Sequence, residues 1–131
     1  MSASCCSTST QTNTKNQRFL LRLRFALAGL WHAVRAENSV KIQLGVFILV
    51  LLALLVLRPS PVWWALVMLA SSGVMAAELL NTAVEHLADH LHPEVHPSIR
   101  IVKDCAAAAV LIAVLGAVAV GVALVAHLLK N

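Results

Sequence analysis

The chain has 131 residues, of which 60% are hydrophobic and 12% charged, with a mean hydropathy of +0.83. Ten basic residues, six acidic residues and six histidines cannot cover the surface of a water-soluble domain of this size, which excludes a soluble single-domain enzyme and makes the membrane the expected solvent. The net charge of +4 comes with no Tyr and only three Phe and three Trp, too few for a base-stacking surface, so nucleic acid is excluded as a partner.

The first 16 residues are rich in Ser, Thr, Asn and Gln and read as a disordered polar leader, ahead of a single membrane-embedded domain over 17–131. The apolar stretch after the leader is broken by Arg18, Arg22 and Arg24, so it lacks the uninterrupted core of a secretory signal peptide. Cys5 and Cys6 lie in the leader and Cys105 at the mouth of a distant apolar run; this spacing suits neither a disulfide framework nor a metal site. Residues 18–35 alternate Phe19, Leu20, Leu23, Leu27, Leu30, Trp31 and Val34 with Arg18, Arg22, Arg24, His32 and Arg35, the pattern of an interfacial amphipathic helix.

Three apolar runs follow, to be compared with the 17 to 25 residues a helix needs to cross a bilayer. The first covers about 40–57 and stops at Arg58-Pro59-Ser60-Pro61, where two prolines end the helix and impose a tight hairpin. The second runs from 61 to about 80, opened by Pro61 with Trp63 and Trp64 at interface depth, and continues as a helix to about 90 beyond the bilayer. The third covers about 105–129. The expected fold is therefore an all-α membrane protein: an amphipathic surface helix followed by three transmembrane helices. Small residues recur every four positions at Ala109, Ala113, Ala117 and Gly121, a stripe that lets helices approach closely. Three spans enclose little interior, which points to a homo-oligomer.

Basic residues set the topology. Lys15, Arg18, Arg22, Arg24, Arg35 and Lys41 precede the first span and Arg100 and Lys103 precede the third, against Arg58 and Lys130 on the other side. The N-terminus and the loop between the second and third spans are thus expected in the cytoplasm and the C-terminus on the opposite face. All six acidic residues, Glu37, Glu78, Glu85, Asp89, Glu94 and Asp104, fall on the cytoplasmic side. Glu78 stands 17 residues beyond Pro61, about 26 Å along a helix crossing about 30 Å of hydrocarbon, so it is expected just inside the cytoplasmic border. There an unpaired carboxylate is costly and needs a partner or a purpose.

Glu78, Asn81, Glu85 and Asp89 fall at offsets of 0, 3, 7 and 11, one narrow stripe of a helix. Oxygen-rich stripes of this kind suit hard divalent cations such as magnesium. Glu37, Lys103 and Asp104 come to the same depth from neighbouring helices. The solvated-border reading, in which these charges only mark the membrane edge, stands beside this one. So does a metal-binding reading on His86, His90, His92 and His96, of which His86 and His90 have the i, i+4 spacing of paired ligands. The five glycines are scattered and form no phosphate loop, and no serine sits in a nucleophile elbow.

The stretch Glu78-Leu-Leu-Asn-Thr-Ala-Val-Glu85, followed by Asp89, Glu94-Val95-His96 and Lys103-Asp-Cys-Ala-Ala-Ala-Ala-Val110, resembles the signature of the prokaryotic diacylglycerol kinase family. The resemblance extends from about Arg18 to the C-terminus, including Gly29-Leu30 and Glu37, and leaves the leader outside. It implies a small homotrimeric enzyme of the bacterial cytoplasmic (inner) membrane that transfers the γ-phosphoryl of MgATP to a lipid hydroxyl. By the same resemblance Glu78 would take the proton of the lipid hydroxyl, and Glu37 and Glu85 would hold Mg2+ on ATP. Arg18, Glu94, Val95, His96, Lys103 and Asp104 would contact the nucleotide together with that pair, and Arg18, near the lipid as well, would support the site or the substrate with Asn81, Asp89 and Ala107.

Two positions depart from the diacylglycerol kinase pattern: Ala107 stands where Ser is usual and Gln43 where a carboxylate is often found. Glu37-Asn-Ser-Val-Lys-Ile-Gln43, Glu85-His86, His96-Pro97 and the Ala106 to Ala109 run look similar to the undecaprenol kinase branch. Glu94, two residues before His96, looks similar to the diacylglycerol branch. The expected reaction is phosphorylation of diacylglycerol to phosphatidic acid, with undecaprenol as the alternative acceptor.

Overall fold

A computed structural model describes residues 8–91 and 96–130. They form four helices: α1 (Thr8–Ala36), α2 (Asn38–Leu57), α3 (Pro61–Leu91) and α4 (Pro97–Lys130). No strand occurs among the described residues. Helices α2, α3 and α4 are long and apolar enough to cross a membrane. At 1.5 Å per residue the 20 residues of α2 cover about 30 Å, the thickness of the hydrocarbon layer. The 31 residues of α3 and 34 of α4 reach about 46 and 51 Å and project beyond that layer.

The helix boundaries have local causes. α1 begins at Thr8, inside the segment expected to be a disordered leader over 1–16. Its first turns contain no Gly or Pro, so nothing stops the helix from propagating back from the apolar stretch; residues 1–7 lie outside the described residues. Between α1 and α2 a single residue, Glu37, leaves helical geometry (φ −101°, ψ 125°) and occupies the N-cap of α2 without using its carboxylate for capping. α2 stops at Arg58 in the left-handed region (φ 46°, ψ 51°), whose N–H donates to the Leu54 carbonyl at 2.9 Å. Pro59 follows and disfavours right-handed helix at Arg58, which completes the hairpin the sequence predicts. α4 starts at Pro97, eight residues ahead of the span expected from 105. Pro97 takes the first helical position, and His96 Nδ1 accepts the Ser98 N–H at 3.2 Å, satisfying one of the orphan donors of the first turn.

Packing centres on α3. α4 runs against it, α2 and the end of α1 lean on it from elsewhere, and the backbones of α2 and α4 stay apart. At the hairpin end the side chains of Leu54, Val67 and Leu124 close a small core with Trp63, Trp64 and Val120 packed against it. Between α2 and α4 lies an apolar groove of about 480 Å³, floored by α3 and lined in part by these same core residues. Large aliphatic side chains such as Ile42, Leu69 and Ile112 are each about two-thirds exposed, which is stable only against lipid or another apolar surface. Of the small-residue stripe, Ala113, Ala117 and Gly121 are half-buried and Ala109 is exposed.

Leu54 is 1% exposed and anchors a contact that joins α2, α3 and α4 at the hairpin end. Leu54→Ala is expected to cost about 2 kcal/mol, the lower part of the range for buried leucine truncation, because in lipid the loss is packing rather than exclusion from water. Thermal unfolding of wild type and variant in the same micelles checks this.

Candidate active site

The stripe predicted on α3 is present and graded in exposure. Glu78 is buried, at 5% exposure, one turn farther out Asn81 is half-buried, then Glu85 is half-buried and Asp89 exposed. On this face, packing against the neighbouring helices falls off along α3 from Glu78 to Asp89. Glu78 has no hydrogen bond or ion pair among the described residues. Asn81 Nδ2 donates to Glu85 Oε1 at 2.9 Å, which fixes the Asn81 amide with its Oδ1 turned inward, buried and unpartnered.

Neighbouring helices bring charge to this face. Glu37, freed by the helix break from any capping bond, places Oε1 3.6 Å from His86 Nε2. That separation is too long for a hydrogen bond and within ion-pair range when the imidazole is protonated. The His86 ring also lies 5.9 Å from the His32 ring of α1, tilted by 54°. On the other side the half-buried Lys103 Nζ of α4 pairs with Asp89 Oδ1 of α3. The helix break, α3 and α4 are thus tied together at one level by Glu37–His86 and Asp89–Lys103, with Glu85 between them on the stripe.

The remaining predicted residues are more peripheral. Asp104 is exposed and faces Arg100 Nε at 3.8 Å, one turn along α4. Ala107 is exposed, one turn beyond Lys103. Arg18 is exposed on α1, 19 residues from Glu37 and so about 28 Å away along the helix. His96 caps α4, while Glu94 and Val95 lie outside the described residues. Among the described residues no group of three or more His, Cys, Asp and Glu is arranged to hold a metal ion. His86 faces Glu37 and His32, His90 is exposed, and His92 lies outside the described residues.

Two features of the site were not singled out from the sequence. His32 meets His86 only because α1 turns back onto α3, a tertiary contact with no signal in local spacing. Gln43 of α2 was noted only as a departure from a family pattern, yet its Oε1 is buried without a partner. Among the described residues, the two buried side-chain atoms left without a hydrogen bond are Gln43 Oε1 and Asn81 Oδ1. An unpaired buried acceptor costs about 1–3 kcal/mol, which makes both atoms candidates for contact with something absent from the chain itself.

Magnesium fits the donor set. It prefers oxygen, keeps several waters and is usually held by one or two carboxylates plus substrate phosphates rather than by a complete protein cage. Glu37 and Glu85 are half-buried carboxylates of which one oxygen each is engaged by a neighbour. That leaves the second oxygen of each for a cation. The group as a whole offers a buried carboxylate at Glu78, half-buried carboxylates at Glu37 and Glu85, and a half-buried lysine on α4 paired with Asp89.

The model of a family described as prokaryotic diacylglycerol kinase matches residues 24–125. A diacylglycerol kinase of Synechocystis is 36% identical over 103 residues, covering 78% of this chain and 59% of that protein. An undecaprenol kinase of Bacillus subtilis is 30% identical over 93 residues, covering 71% of this chain and 76% of that protein. The matched stretch therefore spans less than two thirds of the Synechocystis relative.

Proposed function

We propose that this chain, which belongs to the prokaryotic diacylglycerol kinase family, is an ATP-dependent lipid kinase that transfers the γ-phosphoryl of MgATP to the hydroxyl of diacylglycerol, giving phosphatidic acid. The observation that carries this reading is Glu78: a carboxylate 5% exposed within an apolar helix, on the face that continues outward through Asn81 and Glu85. A base there meets an acceptor that lives in lipid, while the carboxylates farther out meet a donor that lives in water.

In this mechanism Glu78 accepts the proton of the lipid hydroxyl as its oxygen forms the bond to the γ-phosphorus. The bond from that phosphorus to the β–γ bridging oxygen breaks, and ADP leaves with the bond's electron pair. Glu37 and Glu85 would hold a magnesium ion, which would supply positive charge to offset that of the phosphates. Lys103 supplies a cation to the phosphates; to do so it shares or exchanges its contact with Asp89. Asn81 keeps Glu85 aimed outward through its amide. Arg18, Glu94, Val95, His96 and Asp104 are assigned to the nucleotide and Ala107 to the substrate side by family resemblance. The reading places the enzyme in the bacterial inner membrane as a homotrimer, with its N-terminus and the α3–α4 loop in the cytoplasm and its C-terminus on the opposite face.

Undecaprenol is the second acceptor to consider, because the match to the Bacillus subtilis undecaprenol kinase covers more of that relative, 76%, than the match to the Synechocystis diacylglycerol kinase does, 59%. Purified protein in mixed micelles, given γ-labelled MgATP with diacylglycerol and undecaprenol in parallel, separates the two. Preferential labelling of diacylglycerol is expected. Preferential labelling of undecaprenol moves the assignment to that branch, and labelling of neither overturns the kinase reading.

A further inference from the structure

We infer that Asp89 is a positioning residue that holds the Lys103 ammonium ready for the nucleotide phosphates and keeps it off Glu85, an inference that rests on the kinase reading and deepens it. Asp89 stands four residues beyond Glu85, about 6 Å along the same face of α3. Lys103 comes from the neighbouring helix, and its Nζ donates to Asp89 Oδ1. The lysine side chain is 34% exposed and the aspartate 66%, so the pair forms at the edge of the α3–α4 contact. Asp89 thereby brings a cation from α4 to the outer end of the stripe that begins at Glu78.

The pair leaves the ammonium usable. A lysine has three N–H donors, and Asp89 Oδ1 takes one, so the others remain for phosphate oxygens. The flexible four-carbon stem is already restricted, and a phosphate that meets it has less freedom to remove. Glu85 explains why the holder is an acid one turn farther out. One Glu85 oxygen accepts from Asn81 Nδ2 at 2.9 Å, and the other is the oxygen the kinase reading gives to the metal. Without Asp89, Glu85 is the next carboxylate inward on this face, and it is half-buried, so its attraction for an ammonium is less screened than that of an exposed acid. Lys103 would turn to it and fill that oxygen. Asp89 prevents this collapse and keeps an ammonium and an uncommitted carboxylate one turn apart. Its own repulsion of the phosphates is the weaker effect, because its charge is largely in water and screened by salt.

The test compares Asp89→Ala, which removes the holder, with Asp89→Glu, which keeps a carboxylate in reach of Lys103. A third protein combines Asp89→Lys with Lys103→Asp, which preserves an ion pair between α3 and α4 but moves the cation to α3. Equilibrium binding of MgATP in micelles without acceptor lipid is expected to weaken about fivefold to tenfold in Asp89→Ala and to stay within about twofold of wild type in Asp89→Glu. The magnesium concentration needed for half-maximal nucleotide binding should rise in Asp89→Ala, since Lys103 then competes for Glu85. In steady state the KM for ATP should rise and the KM for the lipid stay unchanged. The exchanged pair should recover the thermal stability of wild type without its nucleotide affinity, whereas a pair that only ties α3 to α4 predicts that both return together. Unchanged or tighter MgATP binding in Asp89→Ala, an unchanged magnesium requirement, no recovery in Asp89→Glu, or affinity restored by the exchange would overturn the inference. If wild type binds MgATP but labels no lipid, the kinase reading fails while the binding comparison still decides the role of Asp89; if wild type binds no MgATP, both fail.

Discussion

Replacing Glu78 with Gln is expected to lower kcat for lipid phosphorylation by about 10³-fold, the scale of a lost general base, while leaving the protein folded. The two side chains have nearly the same shape, and the exchange removes a buried carboxylate that has no partner among the described residues, so nothing in the packing of α3 depends on the charge. A purely structural role predicts the reverse pattern, with altered stability and near-normal turnover. Steady-state transfer of γ-phosphate at saturating lipid and MgATP, alongside thermal unfolding of both proteins, separates the two.

The second large effect concerns the metal. Glu85→Gln is expected to raise the magnesium concentration needed for half-maximal rate by about 10- to 100-fold, the range for weakening a metal site, with much of the rate recovered at high magnesium. The introduced amide can still accept from Asn81 Nδ2, which now bonds Glu85 Oε1 at 2.9 Å, so the local geometry is kept while the negative charge is lost. Glu37→Gln should behave alike and should in addition weaken the contact with His86 at 3.6 Å. A magnesium titration of the rate at fixed ATP reads both variants. Unchanged titrations would remove Glu37 and Glu85 from the metal and return them to the role of solvated border charges.

Much of this arrangement is written locally in the chain. Pro59 and Pro61 announce the hairpin because proline cannot continue a helix, and Arg58 in left-handed geometry is its consequence. Glu78, Asn81, Glu85 and Asp89 share a face because helical spacing alone puts them there, while their graded burial comes from the packing of neighbouring helices. Helix ends were less legible. α1 begins at Thr8 and α4 at Pro97, since polar residues without a breaker can still be helical. Least legible were the contacts between elements: Glu37 with His86, Lys103 with Asp89, and the buried amide of Gln43. Each depends on how two helices rotate and slide against each other, which no single-segment periodicity encodes.

The same distinction explains the histidines. His86 and His90 have paired-ligand spacing on one helix, yet a metal site needs donors from several directions, and among the described residues none assembles. What His86 meets instead is a carboxylate from the α1–α2 break and a second imidazole.

Equilibrium binding of MgATP to wild type and to Glu78→Gln, measured on the same preparations whose lipid phosphorylation is assayed, bears most directly on the division of labour between lipid depth and water boundary. Nucleotide affinity within about twofold of wild type, with turnover lost by about 10³-fold, is the expected pair of results. Undiminished turnover, or nucleotide binding lost together with turnover, would contradict Glu78 as the group that takes the acceptor's proton.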